Sequence, residues 1–348
     1  MTEPRLYAAA GVDIAARAKF AASLPEILAR ARRPEVISDA GPFSGLFRLG
    51  EGYRDPVIAA SADGIGTKVK LHRAANRLDL CGRDILGHSV NDVMACGAKP
   101  IFFLDYLAGN GLTNDDKAAL VGGVAQACAD AGCALLGGET ADMPDVYAPG
   151  EFDVAGFIVG IVEREAIIDG SRIAPGHVLI GLPSSGLHTN GFALARRALD
   201  ICSGEAPEET RRRIDEHPAI LGGQSIGEAL LATHRPYHRE FELVREHIDG
   251  VAHITGGGYG ENVPRILPKG LTAVFDTAAW PVLPIFQLIQ QRGEISAAEM
   301  YEVFNMGIGL VLFVAPASVP AVLEALPEAL RIGEVSEDTG RRVELRGL

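Results

Sequence analysis

Two α+β domains are the architecture that this sequence predicts, from three observations. The chain has 348 residues, more than one typical core of roughly 100–200 residues. Strand-like apolar runs repeatedly deliver it into glycine-containing turns, with helix-period segments between them. A polar stretch, Asp169-Gly170-Ser171-Arg172 to Pro175-Gly176, separates two such alternations. The expected domains are residues 1–170 and 171–348.

Residues 1–50, rich in Ala and Gly with Gly41-Pro42 and Gly50, are expected as turns rather than a continuous core element. Pro56–Ser61 reads as a buried strand that feeds Asp63-Gly64-Ile65-Gly66-Thr67-Lys68. Between Gly82 and Cys96, Ile85, Leu86, Val90, Val93 and Met94 recur at helical spacing, and Gly97 supplies a stop. Ile101–Leu107 is strand-like but carries the acid Asp105. Thr113-Asn114 should cap a helix running through Leu120, Val121, Val124 and Cys128 to near Gly132. Cys133–Leu136 reads as a short strand, Gly137-Gly138-Glu139-Thr140 as the loop after it, and Phe152–Val162 as a long strand. Beyond the break, strands are expected at 178–182, 251–254, 271–276 and 306–314 and helices at 190–202, 234–247 and 317–329, with no fixed-period repeat.

Composition narrows the function. Hydrophobic residues are 47% and charged residues 22%, as in globular proteins. A formal net charge of −13 leaves no overall basic field for a nucleic acid or an anionic membrane, so a small molecule is the expected partner. The five cysteines form no C-x-x-C pair and read as reduced core thiols. The N-terminus has no basic-then-apolar pattern, and no apolar run approaches about 18 residues, so the expected setting is cytoplasmic.

Five segments carry chemistry. Asp63–Lys68 joins glycines that admit a ligand to the backbone, a cation for phosphate and an acid for Mg²⁺, but it is not a P-loop and is equally compatible with a plain glycine turn. Asp84, His88, Asn91 and Asp92 share one helix face, either as cation ligands or as a solvated face. Gly137–Pro144 again places glycines before acids and a hydroxyl. Ser184-Ser185-Gly186-Leu187-His188-Thr189-Asn190-Gly191 opens a helix, where an anion can bind, whereas a serine nucleophile lacks its elbow and its third group. His253-Ile254-Thr255-Gly256-Gly257-Gly258, before Glu261-Asn262, is a further turn admitting close backbone approach.

In order, these segments resemble the phosphoribosylformylglycinamidine cyclo-ligase family over nearly the whole chain. The match runs from Tyr7-x-x-Ala10-Gly11-Val12-Asp13-Ile14 through Asp63–Lys68, Val90-Asn91-Asp92, Gly97–Pro100, Phe102–Tyr106, Gly137–Pro144 and Asp153–Phe157. It continues through Ser184–Gly191, His253–Gly258 and Phe304-Asn305-Met306-Gly307-Ile308-Gly309. The resemblance implies a two-domain PurM-like fold, with the first domain's strands joining a second subunit's in a barrel-like sheet of a homodimer. It implies ATP and Mg²⁺ as cofactors, and ATP-dependent closure of the imidazole ring of formylglycinamidine ribonucleotide.

The residues follow from it. Lys68, Asp92 and His188 are expected as catalytic. Asp63, Gly64, Gly66, Thr67, Lys68, Asp105, Gly138, Glu139 and Thr140 are expected to hold ATP. Ser184, Ser185, His188, Asn190 and Gly257 would hold the ribonucleotide, and Asp63, Asp84, Asp92 and Glu139 the metal. Relatives of the same superfamily, of thiamine-monophosphate kinase or selenophosphate synthetase type, and a non-catalytic nucleotide-binding regulator are the alternatives. Three positions depart from the family pattern: Ala15–Ala18 replace an acid followed by Gly-Asn, Gly87-His88 stand where an Ala-Met pair is commoner, and Asp145 replaces a glycine. His88 then reads as incidental to the site.

Overall fold

The computed structural model describes residues 13–38, 43–201 and 207–348; the motif residues before Asp13, the Gly41-Pro42 turn and Cys202 lie outside them. Strands β1 (Pro56–Gly64), β2 (Lys99–Gly109), β3 (Ala134–Asp142) and β4 (Phe152–Glu163) form one sheet in the order β1-β4-β2-β3, antiparallel except for the β2–β3 pair. Its helices are α1 (Ile14–Ala29), α2 (Val69–Ala74), α3 (Leu78–Ala95) and α4 (Asn114–Asp130). A second sheet runs β10-β7-β9-β5-β8-β6. Its strands are β5 (Val178–Pro183), β6 (Ile248–His253), β7 (Leu271–Asp276), β8 (Ile308–Val314), β9 (Leu330–Glu337) and β10 (Val343–Arg346).

Local chemistry explains most boundaries. Thr113 and Asp116 form a reciprocal capping box at the start of α4, with bonds of 3.1 and 3.0 Å; such a cap contributes about 1 kcal/mol. α3 ends before Gly97, whose φ of +86° suits glycine. Two expectations fail. The first 50 residues contain α1, capped by Asp13 and seating Phe20 and Ile27 on the first core, where turns were expected. Gly137–Thr140 is not a loop but the body of β3, because the long β2 offers it a continuous ladder from Leu104↔Gly137 to Leu107↔Thr140. Pairing overrides the low strand preference of glycine. β9, β10 and the helices Pro284–Gly293 and Ala297–Val303 were not anticipated.

Two cores meet at one strand. Every residue of β8 is buried. Val311 and Phe313 face a cluster with Phe275, Phe286 and Ile332, while Leu310, Leu312 and Val314 face another with Tyr237, Phe241 and Val322. That second cluster includes Met94 of α3, so the first domain's helix is part of the second domain's packing. Each such side chain contributes roughly 1.5–3 kcal/mol on burial. The first sheet buries one face under α3 and α4, around Ile85, Phe103, Val124 and Ile158. Its other face is apolar yet open: Ile58 and Phe157 are 53% and 45% exposed. Among the described residues, no helix is long and apolar enough to cross a membrane.

Candidate active site

Ladder register sets the first part of the site. Asp63 on β1 pairs with Gly156 on β4, Gly156 with Asp105 on β2, and Asp105 with Gly138 on β3, so four residues form one row across the sheet. A Cβ on Gly138 would lie 2.2 Å from the Asp105 carboxylate, which makes glycine obligatory there. Asp105, Gly138, Glu139 and Thr140, with Arg17 and Phe20 of α1 and Lys117, line a cavity of about 220 Å³. Burial pushes the Asp105 carboxyl up to about 7. At about 4.8 Å per strand, β1 and β3 are roughly 14 Å apart. Glu139 is therefore not brought to Asp63, contrary to the expected four-carboxylate metal set.

At the other edge, β1 and α3 meet the second domain. Asp63 and Asp92 are hydrogen-bonded to each other, and Ser61 Oγ donates to Asp92 Oδ2 at 3.1 Å. Burial, then the bond to Asp92 and its charge, raise Asp63 to about 7. Burial also opposes ionisation of Asp92, but the His253 hydrogen bond and the His253 and His88 charges outweigh it and hold Asp92 well below the carboxylate range. His88 Nε2 lies 3.4 Å from Asp63, and His253 Nδ1 lies 2.9 Å from Asp92. Behind them, Thr189 Oγ1 bridges His88 Nδ1 (2.9 Å) and His234 Nδ1 (3.1 Å), and His234 Nε2 meets His253 Nε2 at 3.0 Å. The polar face of α3 is thus an interface between domains and not a solvated surface: Asp84, His88 and Asn91 are all buried.

Lys68 and Asp84 are placed differently from the sequence expectation. The Lys68 ammonium donates to the carbonyls of His188 (2.8 Å) and Ala232 (2.9 Å) and contacts Asp84 Oδ2 at 2.8 Å, with both side chains fully buried. All three donors are used inside the protein, so none is offered to a phosphate. Asp84 also takes His72 Nε2 (2.7 Å) and the His234 amide (2.7 Å), so no oxygen faces a cation. Burial alone would raise its pKa, but Lys68 and His72 bring it below the usual range. The pair is an internal latch between the domains.

The Ser184–Gly191 segment is likewise partly internal. Ser184 Oγ donates to Asn305 and Ser185 Oγ to the Thr233 carbonyl. The helix it opens, Phe192–Ala198, is only seven residues and has no side-chain cap. His188, at a φ of +63°, is fully buried and kept neutral by desolvation, and its Nδ1 has no partner. Asn190 and Gly256 approach each other, and Asn262 donates to the carbonyls of Thr255, Gly256 and Gly258, which shapes the glycine turn around Gly257. Gly64 ends β1, and Gly66–Lys68 is a single 3₁₀ turn carrying Thr67. The sequence singles out neither His72, which reads as an ordinary surface or core histidine and is buried against Asp84, nor His234, which lies in no glycine turn or periodic face that would mark it.

Comparison with known proteins bears on this arrangement. Residues 45–162 and 174–346 match the family models described as AIR synthase related protein, N-terminal domain and C-terminal domain. Proteins named phosphoribosylformylglycinamidine cyclo-ligase from Trichlorobacter lovleyi and Gloeobacter violaceus are each 46% identical; the alignments cover 99% of both chains in the first case, and 97% of this chain and 99% of the relative in the second. The chain belongs to this family. Among solved structures, the thiamine-monophosphate kinase of Stenotrophomonas maltophilia aligns with a TM-score of 0.65 at 18% identity, covering 94% of this chain and 96% of that one. The hydrogenase maturation protein HypE of E. coli aligns at 0.64 and 17%, covering 95% of each. At such identities they show the shared fold alone.

Two outcomes follow for this member of the family. Lys68→Ala should destabilise the protein by about 3–5 kcal/mol by stranding the buried Asp84; a lysine serving bound phosphate alone would leave the urea midpoint unchanged. Asp105 has a folded-state pKa of about 7 against an ordinary 3.8. The unfolded chain therefore releases this proton first, and the resulting destabilisation grows from about pH 4 and is complete above about pH 7. Asp105→Asn should accordingly raise stability at pH 8, by up to about 4 kcal/mol, and hardly change it at pH 4, as read from denaturant melts at both values.

Proposed function

We propose that the chain closes the imidazole ring of formylglycinamidine ribonucleotide to give 5-aminoimidazole ribonucleotide, with ATP converted to ADP and phosphate, as a cytoplasmic ligase of purine biosynthesis. The observation that carries this reading is the convergence of Asp63 and Asp92, half-exposed at 28% and 29% of their side chains, on the seam beside the Ser184–Gly191 and Gly256–Gly258 turns. Full-length similarity to proteins named for this reaction supports the choice among the reactions that this fold could host. Solved complexes of HypE with ATP and of a thiamine-monophosphate kinase with AMPPCP support an ATP ligand for the fold.

In this reading the formyl oxygen attacks the γ-phosphorus and ADP leaves. The amidine nitrogen then adds to the formyl carbon, phosphate departs with its oxygen, and the nitrogen gives up a proton. Phosphoryl transfer depends mainly on positioning and charge stabilisation. Asp63 and Asp92 are hard oxygen donors from two elements and suit Mg²⁺, which when bound neutralises phosphate charge. Gly64, Gly66 and Thr67 flank the pair and are assigned to the phosphates, and the cavity at Asp105, Gly138, Glu139 and Thr140 to the nucleoside part of ATP. Ser185, Asn190 and Gly257 are assigned to the ribonucleotide, with the buried His188, whose Nε2 accepts the Ser185 amide, shaping the turn that presents them. Lys68 and Asp84 act by positioning the His188 and His234 loops. We assign the open apolar face around Ile58 and Phe157 to a homodimer interface, because uncovered apolar sheet faces mark partners.

Purified protein supplied with Mg-ATP should release ADP only when formylglycinamidine ribonucleotide is present; absence of that dependence would remove the reading. Asp92→Asn should lower turnover at least tenfold, about 1.4 kcal/mol of barrier. Phe157→Lys should convert a dimer into a monomer in size-exclusion light scattering, and an unchanged mass would place the subunit contact elsewhere.

A further inference from the structure

The family departure at Gly87-His88 is a built feature. A Cβ on residue 87 would lie 2.3 Å from the His234 carbonyl, so glycine lets the 233–235 chain settle on α3. His88 then stacks on His234, with ring centroids 5.0 Å apart and planes at 21°. Its outer nitrogen is turned to Asp63.

We propose that Asp63, His88, Asp92 and His253 form a mixed carboxylate–imidazole site that takes a first-row transition dication, such as Mn²⁺ or Zn²⁺, in preference to Mg²⁺. This rests on the assignment of Asp63 and Asp92 as cation ligands. One donor atom each from His88, Asp92 and His253 lies within 4.8 Å of the others, and Asp63 Oδ2 is 3.4 Å from His88 Nε2. The His88 and His253 rings are edge-on at 83°, so their edges can converge on one point.

The inner nitrogens are already engaged. His88 Nδ1–H donates to Thr189 Oγ1, which also meets His234 Nδ1 at 3.1 Å. His234 Nε2 meets His253 Nε2 at 3.0 Å and the Asn91 amide at 3.2 Å. His88 Nε2 is thereby left bare toward Asp63, whereas His253 Nδ1 donates to Asp92 Oδ1 at 2.9 Å, so a bound cation takes the place of that proton; partners on the inner nitrogens orient metal-binding histidines in this way. Imidazole donors favour later first-row ions, whereas Mg²⁺ selects oxygen and gives up its waters reluctantly. The half-exposed acids leave a path of entry from the cleft.

Apo-protein without ATP or substrate should be titrated calorimetrically with MnCl₂, ZnCl₂ and MgCl₂. We expect one Mn²⁺ or Zn²⁺ per chain, bound at least tenfold more tightly than Mg²⁺, and ¹⁴N modulation in the electron spin echo of bound Mn²⁺. His88→Met should weaken Mn²⁺ binding at least tenfold and reduce that modulation, with circular dichroism to verify folding. Equal Mn²⁺ and Mg²⁺ affinities, or bound Mn²⁺ in the wild type without nitrogen modulation, would overturn the proposal even if His88→Met failed to fold. Because no turnover is measured, failure of the ring-closing assay leaves this result standing, and the reverse also holds.

Discussion

The buried pair of Lys68 and Asp84 is the contact on which the rest of the site depends. Each comes from the first domain, yet their remaining bonds go to the second: Lys68 to the carbonyls of His188 and Ala232, Asp84 to the His234 amide. Two charges that would be costly to bury alone are tolerated because every donor and acceptor finds a partner. The consequence is a fixed seam, with both histidine-bearing loops held against α3.

α3 is the element that converts this latch into a site. Its middle supplies Asp84 and His88, its last turn Asp92, and its end Met94 to the second domain's core. Glycine at 87 sets how closely the loop around His234 can lie, and that closeness brings four imidazoles into mutual contact. Desolvation there disfavours protonation of His88, His188 and His234. Neutral imidazoles are the form that accepts protons or binds metals. The half-exposed Asp63 and Asp92 form the outer rim of the same network.

The first sheet distributes its acids by register. Asp63 and Asp105 share a row yet meet different surroundings: one lies at an edge facing α3 and a carboxylate neighbour, the other in the middle of the sheet beside a glycine and a cavity. The two ends of this row therefore present different chemistry, and the reverse of the sheet is apolar and open at Ile58 and Phe157.

How much was legible from the residues can be argued element by element. Alternating runs, the Thr113 cap and the Gly97 stop revealed β1, β2, β4, α3 and α4 because those signals are local. β3 extended through two glycines, and α1 formed in a segment read as turns, because a ladder partner and a docking surface decided them. The motifs at Asp63–Lys68, Val90–Asp92, Ser184–Gly191 and His253–Gly258 were visible as residues, with the family and its chemistry. Sequence by itself determined which groups are present and in what order. Only the tertiary structure decided which way each points: Lys68 and Asp84 inward to one another, Glu139 to the far edge, His88 and the unmarked His234 into the seam. Side-chain direction and burial depend on partners more than a hundred residues away, which no local pattern encodes.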